Sequence, residues 1–126
     1  AHLIVTVHYY WPTRFTHQGV PWLPDYLYLS GITFGSDEQK AKIRQDFDRV
    51  AAWGRAHNRP IFLGEFGAYE KADLDSRVKY LSTVARAAET HGFAWALWEF
   101  ETDFAVYDMK REQWNAPLLK ALVPSK

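Results

Sequence analysis

Ile61-Phe62-Leu63-Gly64-Glu65-Phe66-Gly67 is an apolar, β-favouring run that stops at a carboxylate set between two glycines. It reads as a strand that delivers Glu65 to a fixed point, with glycines that let backbone or ligand come close. An isolated Glu at a strand end most often faces water. The residues on either side in the chain argue for a different role.

Two more runs have the same form. Leu3-Ile4-Val5-Thr6-Val7 is nearly all apolar and reads as a strand buried on both faces. It leads into His8-Tyr9-Tyr10-Trp11-Pro12, where the proline ends ladder pairing. Phe93-Ala94-Trp95-Ala96-Leu97-Trp98 is a third strand-like run, ending at Glu99.

Helical patterns separate the runs. Ser36 and Gln39 form a capping-box pair, followed by Ile43, Phe47, Val50, Ala51 and Gly54 on one face. That helix ends near His57, before Asn58-Arg59-Pro60. A second helix, capped by Asp73 or Asp75, runs to about His91 with Gly92 as its stop. Its expected buried stripe is Leu74, Val78, Leu81, Val84, Ala85 and Ala88. A short helix is expected over Ala116–Leu122. Residues 11–35 show no period and read as a long aromatic loop with a short helical turn near 25–29. Residues 101–114 read as a loop anchored by Phe104, Val106 and Tyr107.

Strand, loop and helix thus recur three times, which argues a parallel sheet with helical crossovers. A doubly wound sheet and a (β/α)8 barrel both satisfy that order. The polar punctuation separates them: His8 and Tyr10, then Glu65, then Trp98 stand at the C-terminal ends of successive strands, where barrels carry function. No G-x-G-x-x-G or phosphate loop supports a nucleotide-binding sheet. A full barrel takes about 250 residues and eight strands, against 126 residues and three strands here. The expected α/β fold is therefore a set of three β/α units from an incomplete TIM barrel, with residues 1–126 as one partial domain. Its open edges require either another part of the barrel or self-association.

Composition narrows the function. Net charge is zero, with no basic run, so neither nucleic acid nor an anionic membrane surface is an expected partner. No apolar stretch is long enough to span a bilayer. No signal peptide is visible in the chain; for a secreted protein, that segment is removed or lies outside it. Cysteine is absent, which removes disulfides and thiolate metal sites. Six Trp, seven Tyr and eight Phe make an unusually aromatic chain: core packing is the default for each singly, and a surplus gathered in loops would favour stacking against the apolar faces of sugar rings.

Val7-His8-Tyr9-Tyr10, the Phe15-Thr16-His17-Gln18-Gly19 loop, Gly64-Glu65-Phe66-Gly67 and Trp95-Ala96-Leu97-Trp98-Glu99-Phe100, followed by Phe104-Ala105-Val106-Tyr107-Asp108, resemble the C-terminal part of a glycoside hydrolase family 5 enzyme. The resemblance implies strands six to eight of a (β/α)8 barrel and a retaining, endo-acting β-1,4-glucanase (cellulase) activity on a polysaccharide, outside the cell and without a cofactor. It places Glu65 on the nucleophile, and His8 and Tyr10 on the pair after strand six. Trp98 falls on the aromatic platform after strand eight. Trp11, Trp22, His17 and Gln18 are the further candidates for substrate contact, His17 and Gln18 having loop bracing as the alternative role.

One departure from the family pattern bears on activity. A retaining glycosidase needs a second carboxyl group about 5–5.5 Å from the nucleophile. The family carries it in an Asn-Glu-Pro motif after strand four, and this chain has no such motif. The expectation is a chain inactive alone, dependent on the N-terminal barrel portion. The competing readings are a non-catalytic carbohydrate-binding piece and a self-associating fragment. A metal site at His8, His17 and Glu65 lacks any recognised ligand spacing.

Overall fold

A computed structural model describes residues 3–124. Three parallel strands, β1 (Val5–Tyr9), β2 (Ile61–Phe66) and β3 (Ala94–Trp95), lie side by side in chain order. A short helix α1 (Thr13–Thr16) follows β1. Helix α2 (Asp37–Ala56) crosses from β1 to β2, and α3 (Leu74–Thr90) from β2 to β3. A two-stranded antiparallel hairpin, β4 (Tyr107–Asp108) and β5 (Gln113–Trp114), precedes α4 (Ala116–Leu122).

The local signals set the helix boundaries. Ser36 Oγ accepts from the Gln39 backbone while Gln39 Oε1 accepts from the Ser36 N–H, a complete capping box. Asp73, not Asp75, caps α3 by accepting from the Ser76 N–H at 2.8 Å. Gly92 takes a φ of 73° just past the C-cap His91, a left-handed stop that favours glycine.

The core fills the space between the sheet and the helices. Leu63 and Phe66 of β2 meet Ile43, Phe47 and Ala51 of α2 and Tyr80, Val84 and Ala88 of α3. Leu118 and Leu122 of α4, and Phe15 and Phe34 of the long loop, close it.

The structure alters several expectations. Leu3 and Ile4 are exposed and β1 alternates between half-buried and exposed residues, because one edge has no neighbouring strand among the described residues. An apolar groove of about 570 Å³ opens on the helix side of that edge, lined mainly by Val5, Val7, Phe47, Val50 and Trp53. The third strand keeps ladder pairing only at Ala94–Trp95, after which single backbone bonds tie Ala96 to Leu63 and Trp98 to Phe66. The helical turn expected at 25–29 is a set of turns, and the helix forms instead at Thr13–Thr16, just after Pro12. The 101–114 loop contains the β4–β5 hairpin, whose turn is held by Asp108 Oδ1 accepting from the Lys110 and Arg111 N–H groups. Leu74 opens α3 at its exposed end, while Ser76, Arg77 and Tyr80 take buried positions that the expected stripe omitted.

The sheet carries one irregularity that positions the site. Val7 pairs with Leu63, but His8 pairs with Glu65, so Gly64 is the extra residue of a bulge in β2. Strand side chains alternate faces. With regular alternation through Gly64, Glu65 would share the helix side with Leu63. The bulge resets the pleat: Phe66 is fully buried on the core side, and Glu65 stands beside His8 on the opposite face. A side chain at Gly64 would press on Thr6 Oγ1, so glycine spares the bulge that crowding.

Candidate active site

Because the strands are parallel, their C-terminal ends meet at one rim. Tyr10 stands just past β1, Glu65 near the end of β2, and Trp98 three residues past β3. The Tyr10 hydroxyl donates to Glu65 Oε2 at 3.0 Å. His8 Nδ1 approaches the same oxygen at 3.4 Å, an ion-pair distance longer than a full hydrogen bond. The Glu65 side chain is 27% exposed, enough to be reached from solvent yet flanked by protein.

Burial pushes the Tyr10 phenol far above its usual range, and the adjacent Glu65 carboxylate, with a smaller contribution from Glu99, pushes it the same way. Tyr10 therefore remains a proton donor to Glu65 at any working pH. Burial and the neighbouring charges of Asp103 and Glu101 also raise Glu99, against a backbone hydrogen bond from Phe104 that lowers it.

His17 sits behind Tyr10, edge-on to that ring at 5.0 Å and to Phe104 at 5.7 Å. Thr16 Oγ1 gives its hydrogen to the Tyr10 carbonyl at 2.7 Å, so the 2.8 Å contact with His17 Nδ1 assigns the imidazole proton to Nδ1. Burial lowers the His17 pKa and favours the neutral ring, leaving Nε2 as an acceptor.

Trp98 is 44% exposed. Its N–H donates to the Phe66 carbonyl at 2.8 Å, and its own carbonyl crosses directly over Gly67. A Cβ at Gly67 would overlap that oxygen and meet the Phe104 ring at 3.0 Å. The second glycine of the opening motif therefore lets the post-β3 chain lie flat against β2.

The remaining candidates divide. Trp22 is half exposed and rests edge-on against Tyr69, which adjoins Phe104. Trp11 is partly buried against the main core, with Lys42 Nζ 5.5 Å above its ring. Gln18 is a correction. It is 1% exposed, and its amide is spent on the loop, donating to the Phe15 and Ile32 carbonyls and accepting from the Ile32 N–H. A side chain so enclosed braces the loop and does not reach a substrate. Among the described residues no group of three or more His, Asp and Glu side chains could hold a metal ion.

Sequence reading missed Thr16, Tyr69 and Arg77. Thr16 is fully buried behind Tyr10 through the hydrogen bond to its carbonyl, Tyr69 walls the rim, and Arg77 ties down the post-β3 loop. A charged residue on the apolar face of α3 was the one visible signal, at Arg77.

Residues 1–103 match the cellulase family, glycosyl hydrolase family 5. Endoglucanase H of Acetivibrio thermocellus is 32% identical over 127 residues, a match covering 96% of this chain and 13% of that protein. Cel5A of Thermotoga maritima superposes with a TM-score of 0.93 and 44% identity in its cellobiose complex, over 95% of this chain and 39% of that one. Its mannotriose complex gives a TM-score of 0.92, again at 44% identity and with the same coverage. The chain thus spans well under half the length of these relatives, and its three β/α units are part of a (β/α)8 barrel. The chain belongs to the cellulase family, glycosyl hydrolase family 5.

Proposed function

We propose that residues 1–126 form one partial barrel domain carrying the nucleophile half of a retaining endo-β-1,4-glucanase site, with Glu65 as nucleophile. The observation that supports this most is the convergence of the Tyr10 hydroxyl and the His8 ring on one oxygen of Glu65 at the C-terminal rim of the sheet. A phenol that stays protonated donates to the carboxylate and holds it oriented.

In the reaction, Glu65 attacks the anomeric carbon and the glycosidic C–O bond breaks. The departing oxygen takes its proton from a second carboxylic acid. The same group then removes a proton from water, which displaces Glu65 and releases the sugar. Trp98 stacks under the ring undergoing cleavage, and the exposed Trp22 and the His17 Nε2 acceptor serve sugars further along, with Trp11 a peripheral contact. No cofactor enters this chemistry.

The second carboxylic acid comes from the N-terminal barrel portion. That portion also supplies the strand beside β1 and the helix that fills the apolar groove there. Self-association is the other way to cover the same edge. An insoluble polymer cannot cross a membrane, so the working location is outside the cell. β-Mannan is the second substrate reading, supported by the relative solved with mannotriose.

A dinitrophenyl 2-deoxy-2-fluorocellobioside, whose leaving group needs no acid, tests the nucleophile. The expected result is a covalent adduct mapped to Glu65 and absent in Glu65→Gln. An adduct at another carboxylate overturns the assignment. The isolated chain is expected to leave cellulose uncut, and addition of the N-terminal portion in trans to restore hydrolysis.

A further inference from the structure

We propose that Arg77 is a positioning residue that holds the Tyr10 hydroxyl on Glu65 by clamping Phe104; the proposal rests on Glu65 being the nucleophile. Arg77 lies on α3, is 7% exposed, and has no ion pair with a carboxylate among the described residues. Its Nε is buried without a hydrogen-bond partner. A guanidinium in that state is a poor way to stabilise a helix, and an apolar side chain of similar volume often does as well or better.

What Arg77 does supply is directional. Its Nη2 donates to the Ala105 carbonyl at 3.0 Å. Two residues earlier in the same loop, the Asp103 carbonyl accepts from the Glu70 N–H at 2.9 Å. The two bonds bracket Phe104, pinning the chain on both sides of its ring to the segment that follows β2.

Phe104 is 4% exposed and acts as a wedge. It stands edge-on to Tyr10 at 6.2 Å, to His17 at 5.7 Å and against Tyr69 at 5.7 Å, with Gly67 leaving the room it needs. The Tyr10 ring is therefore flanked by Phe104 and His17, its carbonyl is held by Thr16, and its hydroxyl is aimed at Glu65. If the clamp is released, Phe104 can withdraw and the phenol loses its direction. The proposal assigns Arg77 no contact with substrate.

The test compares Arg77→Met and Arg77→Lys in the complete barrel, with strands one to five supplied in cis. Met fills the volume but cannot donate, and Lys can still reach a carbonyl. The expected result is a kcat about tenfold lower in Arg77→Met, KM within about twofold, an unfolding midpoint no lower than the parent, and most of the kcat restored in Arg77→Lys. A parental kcat in Arg77→Met overturns the proposal, as does a Lys variant no better than Met. Phe104→Leu covers the case in which Arg77→Met does not fold: it should lower kcat while sparing KM, and a parental kcat there also overturns the clamp. Glu65→Gln is run in parallel. Retained hydrolysis in that variant removes the nucleophile assignment and the clamp together, whereas an inactive Glu65→Gln beside a parental Arg77→Met removes the clamp alone.

Discussion

The two seams of the sheet are built differently. Between β1 and β2 the backbones pair at five positions, and the end of the seam is finished by side chains: His8, Tyr10 and Glu65 within ion-pair or hydrogen-bond reach. Between β2 and β3 the ladder covers two positions, and the end is finished by backbone and packing. There the Trp98 carbonyl lies over Gly67 and Phe104 is wedged beneath the loop. On the proposed reading, the first seam carries chemistry that the fold hardly needs. The second carries the geometry that the proposed clamp uses to aim the first. Removing a side-chain group from the first should therefore cost activity alone, whereas crowding the backbone of the second should cost stability as well.

Glu65→Gln in the completed barrel gives the largest expected effect, a fall in kcat of about 10⁴-fold or more with the unfolding midpoint unchanged. A steady-state assay beside a denaturation curve checks both halves of that statement. Tyr10→Phe removes one hydrogen bond to a carboxylate, worth about 1.5–3 kcal/mol, so kcat/KM should fall about 10- to 100-fold with little change in stability. Gly67→Ala should behave the other way. Its Cβ meets backbone, which cannot swing aside, and the cost is about 1–3 kcal/mol in denaturant titrations, with sugar stacking at Trp98 lost as well. A Gly67→Ala protein of parental stability would dissolve the contrast between the seams.

The smallest effect lies outside both seams and serves as their baseline. His91 Nδ1 faces the Ala87 carbonyl at 2.7 Å and Nε2 faces Asp48 at 2.8 Å, so only the imidazolium satisfies both. The Ala87 carbonyl and then Asp48 raise its pKa, against opposing contributions from burial and Arg55. A raised folded-state value means that the contribution is complete below the ordinary histidine pKa and lost as pH rises through the folded one. As pH rises from below the ordinary histidine value of about 6.5, the parent should lose stability relative to His91→Gln. Equal pH slopes in the two proteins would show that the tie between α2 and α3 contributes nothing.

The same contrast explains what could be read in advance. The first seam is local in sequence terms. A β-favouring run ending in Glu65, and another ending in His8 and Tyr10, announce themselves by residue type, and parallel pairing brings them to one rim. The capping box at Ser36, the cap at Asp73 and the glycine stop at Gly92 marked the two long helices within a residue or two for the same reason. The bulge at Gly64 was not legible, although it decides which face Glu65 takes, because a bulge is a property of the pair of strands. Nor was the enclosure of Gln18, which depends on Ile32 returning past it fourteen residues later. Arg77 was legible only as a charge on the apolar face of α3; its partner, the Ala105 carbonyl, comes from beyond β3, twenty-eight residues later.

The apolar groove alongside β1 has a practical consequence for building chimaeras. If the N-terminal portion docks there as proposed, a donor half-barrel chosen only for matching residues at the rim would still seat badly with an adjoining helix polar at the height of Val5, Val7 and Trp53. Grafts should be ranked by how well that helix fills the socket, with room left for Asp46 and Arg49 at its margin.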